Sequence, residues 1–348
     1  MIMRRHFPVV CAAYLCAALL HASFSPADEA PANFAVQKTL HIGGAGRWDY
    51  ATFEPSSNLL YVTRSTHTQA IDVAQGRVVL DIAGQKRSHG TAIVPAVNRG
   101  FITDGEDASV VVFDLKTGSV LGKVPAADDA DGIIDDAGDN RLLVACGDSK
   151  KLLVIAPDVD LNNAKADSVD LEGSPEFLAA DNHGKAYVNI NDKNQVAVID
   201  VKSHSVTARW GIGSGTKPTG MAIDAEHGRL FVGCRNEKLI ILSTDDGRVL
   251  GEVPIGKGND ACGFDSGTGT AFASCGDGTL AVVRETSPGK FESTSIQTRM
   301  GARTMAVDPA THTLYLPTAE FAPAEDGKRP AMKPDTFMIV VVAPPATK

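Results

Sequence analysis

Seven times along this 348-residue chain the same phrase recurs: a polar or charged residue, a short apolar strand, a Pro, Asp, Gly or Asn turn, and a second strand opened by an aromatic residue or Leu. The phrase starts at Asp49, His89, Asp131, Glu176, Thr219, Asp260 and Arg303, at spacings of 40, 42, 45, 43, 41 and 43 residues. A fixed period of this length marks an array of small sheets, none of which can bury its own faces alone. The second strand keeps the register. Tyr61, Phe101, Leu143, Phe231, Phe272 and Tyr315 each lie 12 positions after the leading residue, and Tyr187 lies 11 after.

Within each unit a third strand carries an apolar run, as in Val111-Val112-Phe113, Val196-Ala197-Val198-Ile199 and Leu239-Ile240-Ile241-Leu242. Gly-bearing turns then lead to a more polar fourth strand. Four antiparallel strands with apolar inner members make a propeller blade, a WD40-like arrangement. The seventh unit ends after a third strand at residues 337–343, while residues 34–42 carry the outer-strand pattern ahead of the first unit. The expectation is an all-β, seven-bladed β-propeller over residues 28–348, closed by an N-terminal strand that completes the last blade. Closure would leave only short, protected edges.

The start of the chain reads differently. Arg4 and Arg5 precede an apolar run at residues 7–20 that is too short and wrongly flanked for a membrane anchor. This pattern predicts a secretory signal over residues 1–27, with small residues near Ala22, Ser25 and Ala27 at the cleavage region. Neither Cys11 nor Cys16 has the preceding small residue of a lipid-attachment box, so a soluble, exported protein, periplasmic or extracellular and monomeric, is expected. Removing the leader leaves 31 basic against 42 acidic residues, a net charge of −11. Such a chain, with no basic stripe, is not expected to bind nucleic acid or an anionic membrane surface.

Four cysteines follow the leader: Cys146, Cys234, Cys262 and Cys275. Cys262 and Cys275 flank one turn on adjacent strands and could face each other in an oxidising compartment; small buried thiols in the blade cores are the other reading. No CxxC, CxxCH, HExxH or GxSxG motif occurs. Residues 251–258 approach a phosphate loop but carry Gly258 where Ser or Thr should follow Lys257, on an outer strand.

Chemistry is expected at the mouth of the central channel. There the leading residues Asp49, His89, Asp131, Glu176, Thr219, Asp260 and Arg303 would form a ligand-binding ring. Loops after the second strands would add Arg64, Asp104, Asn189, Asn191, Arg235, Asn236, Asp277 and Glu320. Four carboxylates in a confined space raise one another's pKa and call for a cation. Asp49, Asp131, Glu176 and Asp260 are therefore candidate ligands for Ca2+ or another divalent ion. Trp48 and Tyr50 flank Asp49, one packing between blades and Trp48 offering an aromatic wall. Phe177 and Met221 read as core, His183, His227 and His312 as solvated turn residues, and residues 323–334 as an inserted loop or lid.

The runs Arg47-Trp48-Asp49-Tyr50, Leu59-Leu60-Tyr61-Val62-Thr63, Pro175-Glu176-Phe177, Gly233-Cys234-Arg235-Asn236, Gly301-Ala302-Arg303-Thr304-Met305 and Leu316-Pro317-Thr318-Ala319-Glu320-Phe321 resemble the YncE-like group of YVTN-repeat propellers. The resemblance covers nearly all of the chain after the leader. It implies an exported seven-bladed propeller and brings no settled activity. Two function classes follow. One is a binding module holding a small molecule, a metal or a protein loop at the mouth. The other is a lactonase-type hydrolase or cycloisomerase, with Glu176 activating water, His89 moving the proton and Arg303 steadying the oxyanion.

Overall fold

The structure, a computed structural model, describes residues 33–323 and 330–345. It is an all-β propeller. Among the described residues there are six antiparallel sheets, five of four strands and one of seven. The seven-stranded sheet arises because Arg77–Val94 is one continuous strand. Its first part pairs with Ser65–Asp72 as an outer strand, and from Ser88 onward it pairs with Arg99–Asp104 as an inner one. No Pro or Asn-Gly turn interrupts residues 83–88, so the backbone passes extended from one quartet to the next; only Gly84, at φ 97°, bends it.

The innermost strands lie side by side in a closed order. Ala51–Glu54 neighbours Arg77–Val94, which is followed by Ala130–Asp136, Pro175–Ala180, Pro218–Asp224, Asn259–Asp265 and Ala306–Asp308, the last returning to Ala51–Glu54. Crowding at the centre explains the sequence register. Opposite the large residues Tyr61, Phe101, Tyr187, Phe231, Phe272 and Tyr315 stand Thr52, Ala92, Ala179, Ala222, Gly263 and Ala306. Small side chains near the axis and bulky ones further out give each sheet the wedge shape that fills a ring. All of those large residues are buried, each contributing about 2–3 kcal/mol of hydrophobic stabilisation.

Closure is direct. Ala35–His41 pairs antiparallel with Met338–Ala343, with Thr39 opposite Val340, which joins the two ends of the chain in one sheet. Arg64, expected at the channel mouth, is instead fully buried as a clasp on this junction. Its guanidinium stacks 3.6 Å over the Phe337 ring and donates to the carbonyls of Ala45 at 2.8 Å and Gly46 at 3.0 Å and to Gln69 Oε1 at 2.7 Å.

Acidic residues five positions after the leading residues cap the first hairpin turns. Glu54 accepts from Ser56 N and Ser57 N, Asp181 from His183 N and Lys185 N, and Asp308 from Ala310 N. Much of the negative charge is thus spent on turns, away from the mouth. The turn histidines join them: His227 lies 2.9 Å from Asp224, and His312 reaches 2.9 Å to Asp265 of the preceding sheet. All four described cysteines are free and buried. Cys262 lies opposite Ala273 and Cys275 opposite Asn259, so the two are out of register for a bridge, and burial pushes the Cys275 thiol up to about 12. The expected signal at residues 1–27 lies outside the described residues. No helix among them is long and apolar enough to cross a membrane.

Neighbouring inner strands approach closely at Gly220, where an added Cβ would sit 2.6 Å from the backbone of Ala261 and Cys262. Gly220→Ala is expected to cost about 1–3 kcal/mol in urea unfolding. Gly211→Ala, in open space, is expected to change stability by less than about 0.5 kcal/mol.

Candidate functional site

Second-strand hydroxyls and amides pin the backbone of the mouth residues across the seams between quartets. Thr63 Oγ1 donates to His89 O at 2.7 Å, Thr103 Oγ1 to Asp131 O at 2.6 Å, Asn189 Nδ2 to Thr219 O at 2.8 Å and Ser274 Oγ to Arg303 O at 2.5 Å. Thr304 Oγ1 closes the set on Asp49 O at 2.8 Å. Five of the seven leading residues are thus held across a seam, so the side chains above are aimed by a rigid frame. The signal was visible in the sequence, since Thr63, Thr103 and Ser274 each stand 14 positions after a leading residue.

From this frame the side chains form one ion-paired arc. Arg235 Nη2 lies 2.9 Å from Asp260 Oδ1, and Arg303 Nε lies 2.6 Å from Asp260 Oδ2. Arg303 Nη2 then reaches Asp49 Oδ1 at 3.3 Å, and Asp49 Oδ2 is 2.7 Å from His89 Nδ1. Asp131 Oδ1 stands 3.3 Å from the same His89 nitrogen. Asp131 Oδ1 and His89 Nε2 are buried with no hydrogen-bond partner among the described residues. One ligand atom from each of Asp49, His89 and Asp131 falls within 4.8 Å of the others, a spacing that could hold a metal ion.

The floor of the mouth is aromatic. Tyr50 and Phe177 come from inner strands that are not neighbours in the ring, yet their ring centroids are 4.8 Å apart. Their contact therefore spans the interior beside Asp49 and Glu176, their neighbours in sequence. Phe177 thus meets Tyr50 across the ring while also packing against the core cluster that contains Met221, which is core as expected. Trp48 is buried against Phe337 and Phe321, with the Arg303 guanidinium 6.0 Å from its ring.

Burial and mutual repulsion shape the protonation states. Burial, with the Asp49 and Glu176 charges added, pushes Asp131 well above the usual carboxylate range despite His89 beside it. Burial raises Asp260 too, against the pull of Arg303. Glu176, with no hydrogen bond among the described residues, is raised to about 7 by burial and then by Asp260. Tyr50 is held far up by burial and by four surrounding carboxylates, so its hydroxyl stays a donor. His89 is raised: burial opposes its charge, but the Asp49 hydrogen bond and the Asp131 and Asp49 charges outweigh it.

Of the seven leading residues, Asp49, His89, Asp131, Asp260 and Arg303 are linked, and Glu176 lies close enough to feel and exert their charge. Thr219 is not among them. It is 1% exposed and its hydroxyl donates to Asn259 O at 2.9 Å, so it serves a seam. Of the loop residues expected there, Arg235 alone joins the arc. Asp104, Asn236 and Asp277 accept backbone N–H groups of Arg87, Thr216 and Lys257, fixing the loops that enter the inner strands. Asn189 is a seam residue, Asn191 donates to Pro218 O at 3.1 Å, and Glu320 pairs with Lys333 at 3.1 Å. Tyr50 as a floor was missed, because periodicity places a residue on a strand face without showing what meets it across a ring.

No family model matches the chain, and no curated protein matches it. A similar solved structure is Kuenenia stuttgartiensis hydrazine synthase, at 13% identity and a TM-score of 0.66, over 77% of this chain and 91% of that one. At this identity the likeness shows the fold alone.

With a folded-state pKa of about 7 against an ordinary 4.5, Glu176 binds its proton more tightly when folded. The stabilisation is complete below about pH 4.5 and is lost as pH rises through 7. Glu176→Gln is therefore expected to raise unfolding stability at pH 8 by on the order of 2 kcal/mol and to leave it nearly unchanged at pH 4.5, measured by urea titration.

Proposed function

We propose that this chain is an exported, non-catalytic binding module that captures a divalent cation at the mouth of a seven-bladed propeller, with Asp49, His89 and Asp131 as ligands. The count of seven is supported by the closed order of inner strands, with Arg77–Val94 serving two blades. Kinship with the YncE-like propellers rests on the sequence runs, and export on Arg4, Arg5 and the apolar residues that follow them. The observation that carries the binding reading is the convergence of three ligand atoms within 4.8 Å, with Asp131 Oδ1 and His89 Nε2 unpartnered.

The donor set narrows the ion. Asp260, first grouped with the metal ligands, is neutralised by Arg235 and Arg303. His89 takes its place beside Asp49 and Asp131, and one imidazole with two carboxylates favours Mn2+, Fe2+, Co2+ or Zn2+ over Ca2+. Glu176 and Tyr50 lie close enough to feel the Asp49 charge and are the candidates to hold the ion's remaining water. At neutral pH the imidazolium proton competes for this position, so metal binding releases protons and tightens as pH rises.

Melting of the purified protein in Mn2+ at about 100 times Kd is expected to show on the order of 2.7 kcal/mol of stabilisation over chelator, lost in Asp131→Asn. Identical melting with Mn2+, Zn2+, Ca2+ and chelator contradicts the reading. A hydrolase reading is favoured by one observation, the Glu176 carboxyl at about 7, which suits a general base near neutral pH. Lactone turnover lost in Glu176→Gln would select it; turnover absent from wild type would dismiss it.

A further inference from the structure

A cavity of about 570 Å3 opens beside the arc, its lining including Arg47, Arg235 and Arg303 together with Met300, Phe321 and Pro330. Arg235 and Arg303 each direct one edge to Asp260, and Arg303 also reaches Asp49 and the Trp48 carbonyl. The Nε and Nη1 atoms of Arg235, the Nη1 atom of Arg303 and the whole Arg47 guanidinium have no acceptor among the described residues. The cavity lining itself holds three guanidinium groups and one carboxylate, Asp260, with Asp49 pairing Arg303 from outside it, so donors outnumber acceptors there on a chain whose formal net charge is −9.

The apolar wall is equally unspent. Met300 is 60% exposed, the most exposed large hydrophobic residue described. Gly276 lines the same cavity without any conformational need for glycine: its φ is not positive, and an added Cβ would meet nothing closer than 3.4 Å. That Cβ would be in ordinary contact with Gly258 O and Arg303 Cβ at the cavity wall, so a longer side chain at this position would narrow the hollow.

We infer that this cavity is a second binding site, for a small organic carboxylate whose planar head meets Arg47, Arg235 and Arg303 and whose apolar or aromatic body lies against Met300 and Phe321. Forked guanidinium donors match a carboxylate edge, and the neighbouring apolar wall adds the contact that a bare anion would leave unused. The site differs in chemistry from the proposed cation site, which it adjoins through the Arg303 to Asp49 ion pair.

Titration of the purified protein with benzoate, followed by calorimetry, tests this. Saturable binding is expected with Kd on the order of 1 mM for a probe of this size, and both benzyl alcohol and acetate should bind far more weakly. Arg47→Gln, at an exposed side chain with no described partner, is expected to weaken benzoate about tenfold. Gly276→Leu should abolish binding while circular dichroism and melting show a folded protein, and Asp131→Asn should leave benzoate affinity unchanged. Benzoate binding no tighter than benzyl alcohol, or unaffected by both Arg47→Gln and Gly276→Leu, overturns the inference. Tighter binding of phenylphosphonate than of benzoate overturns the choice of a carboxylate.

Discussion

Everything at the mouth depends on ring closure by the sheet that joins Ala35–His41 to Met338–Ala343. Arg303 and Asp49 are 254 residues apart in sequence and meet at 3.3 Å because that sheet brings the chain's ends together. Backbone pairing supplies the strength and Arg64 supplies the fit, its cation stacked on Phe337 from one end of the chain and bonded to the loop of Gly44, Ala45 and Gly46 from the other. A charge buried so deeply is tolerable only because carbonyl oxygens replace the water it has lost.

The seams carry this order inward. A hydroxyl or amide from one quartet fixes the carbonyl of the next leading residue, and the charged side chain above inherits that position. The result is an electrostatic gradient around one opening. On one side Arg235, Asp260 and Arg303 compensate one another; on the other Asp49 and Asp131 crowd His89, with Glu176 adding its charge to Asp131. Buried carboxylates resist ionising in such a place unless a positive group arrives, which is why the acidic half invites a cation while the arginine half, with donors to spare, invites an anion.

The architecture was legible because a propeller repeats its constraints. The aromatic or Leu 11 or 12 positions after each leading residue, the capping acids and the outer-strand pattern at residues 34–42 are each set by local chemistry that recurs from unit to unit. The site was legible only as a set of candidates. Asp49, His89, Asp131, Asp260 and Arg303 converge as the period implies, but the period could not show that Asp260 belongs to the arginines, that Thr219 turns into a seam or that Arg64 leaves the mouth for the closure. Those outcomes depend on side-chain length and on partners from distant quartets. The Tyr50–Phe177 floor is the extreme case, a contact across the ring between residues that share no strand or turn.

The most direct measurement of the central claim is anomalous diffraction from crystals of the protein grown with Mn2+. The account predicts one strong peak about 2.0–2.3 Å from a carboxylate oxygen of Asp49, a nitrogen of His89 and a carboxylate oxygen of Asp131, with the Asp49 to His89 hydrogen bond replaced by coordination. An experimental map with that hydrogen bond intact and the anomalous signal elsewhere, or nowhere, would contradict it.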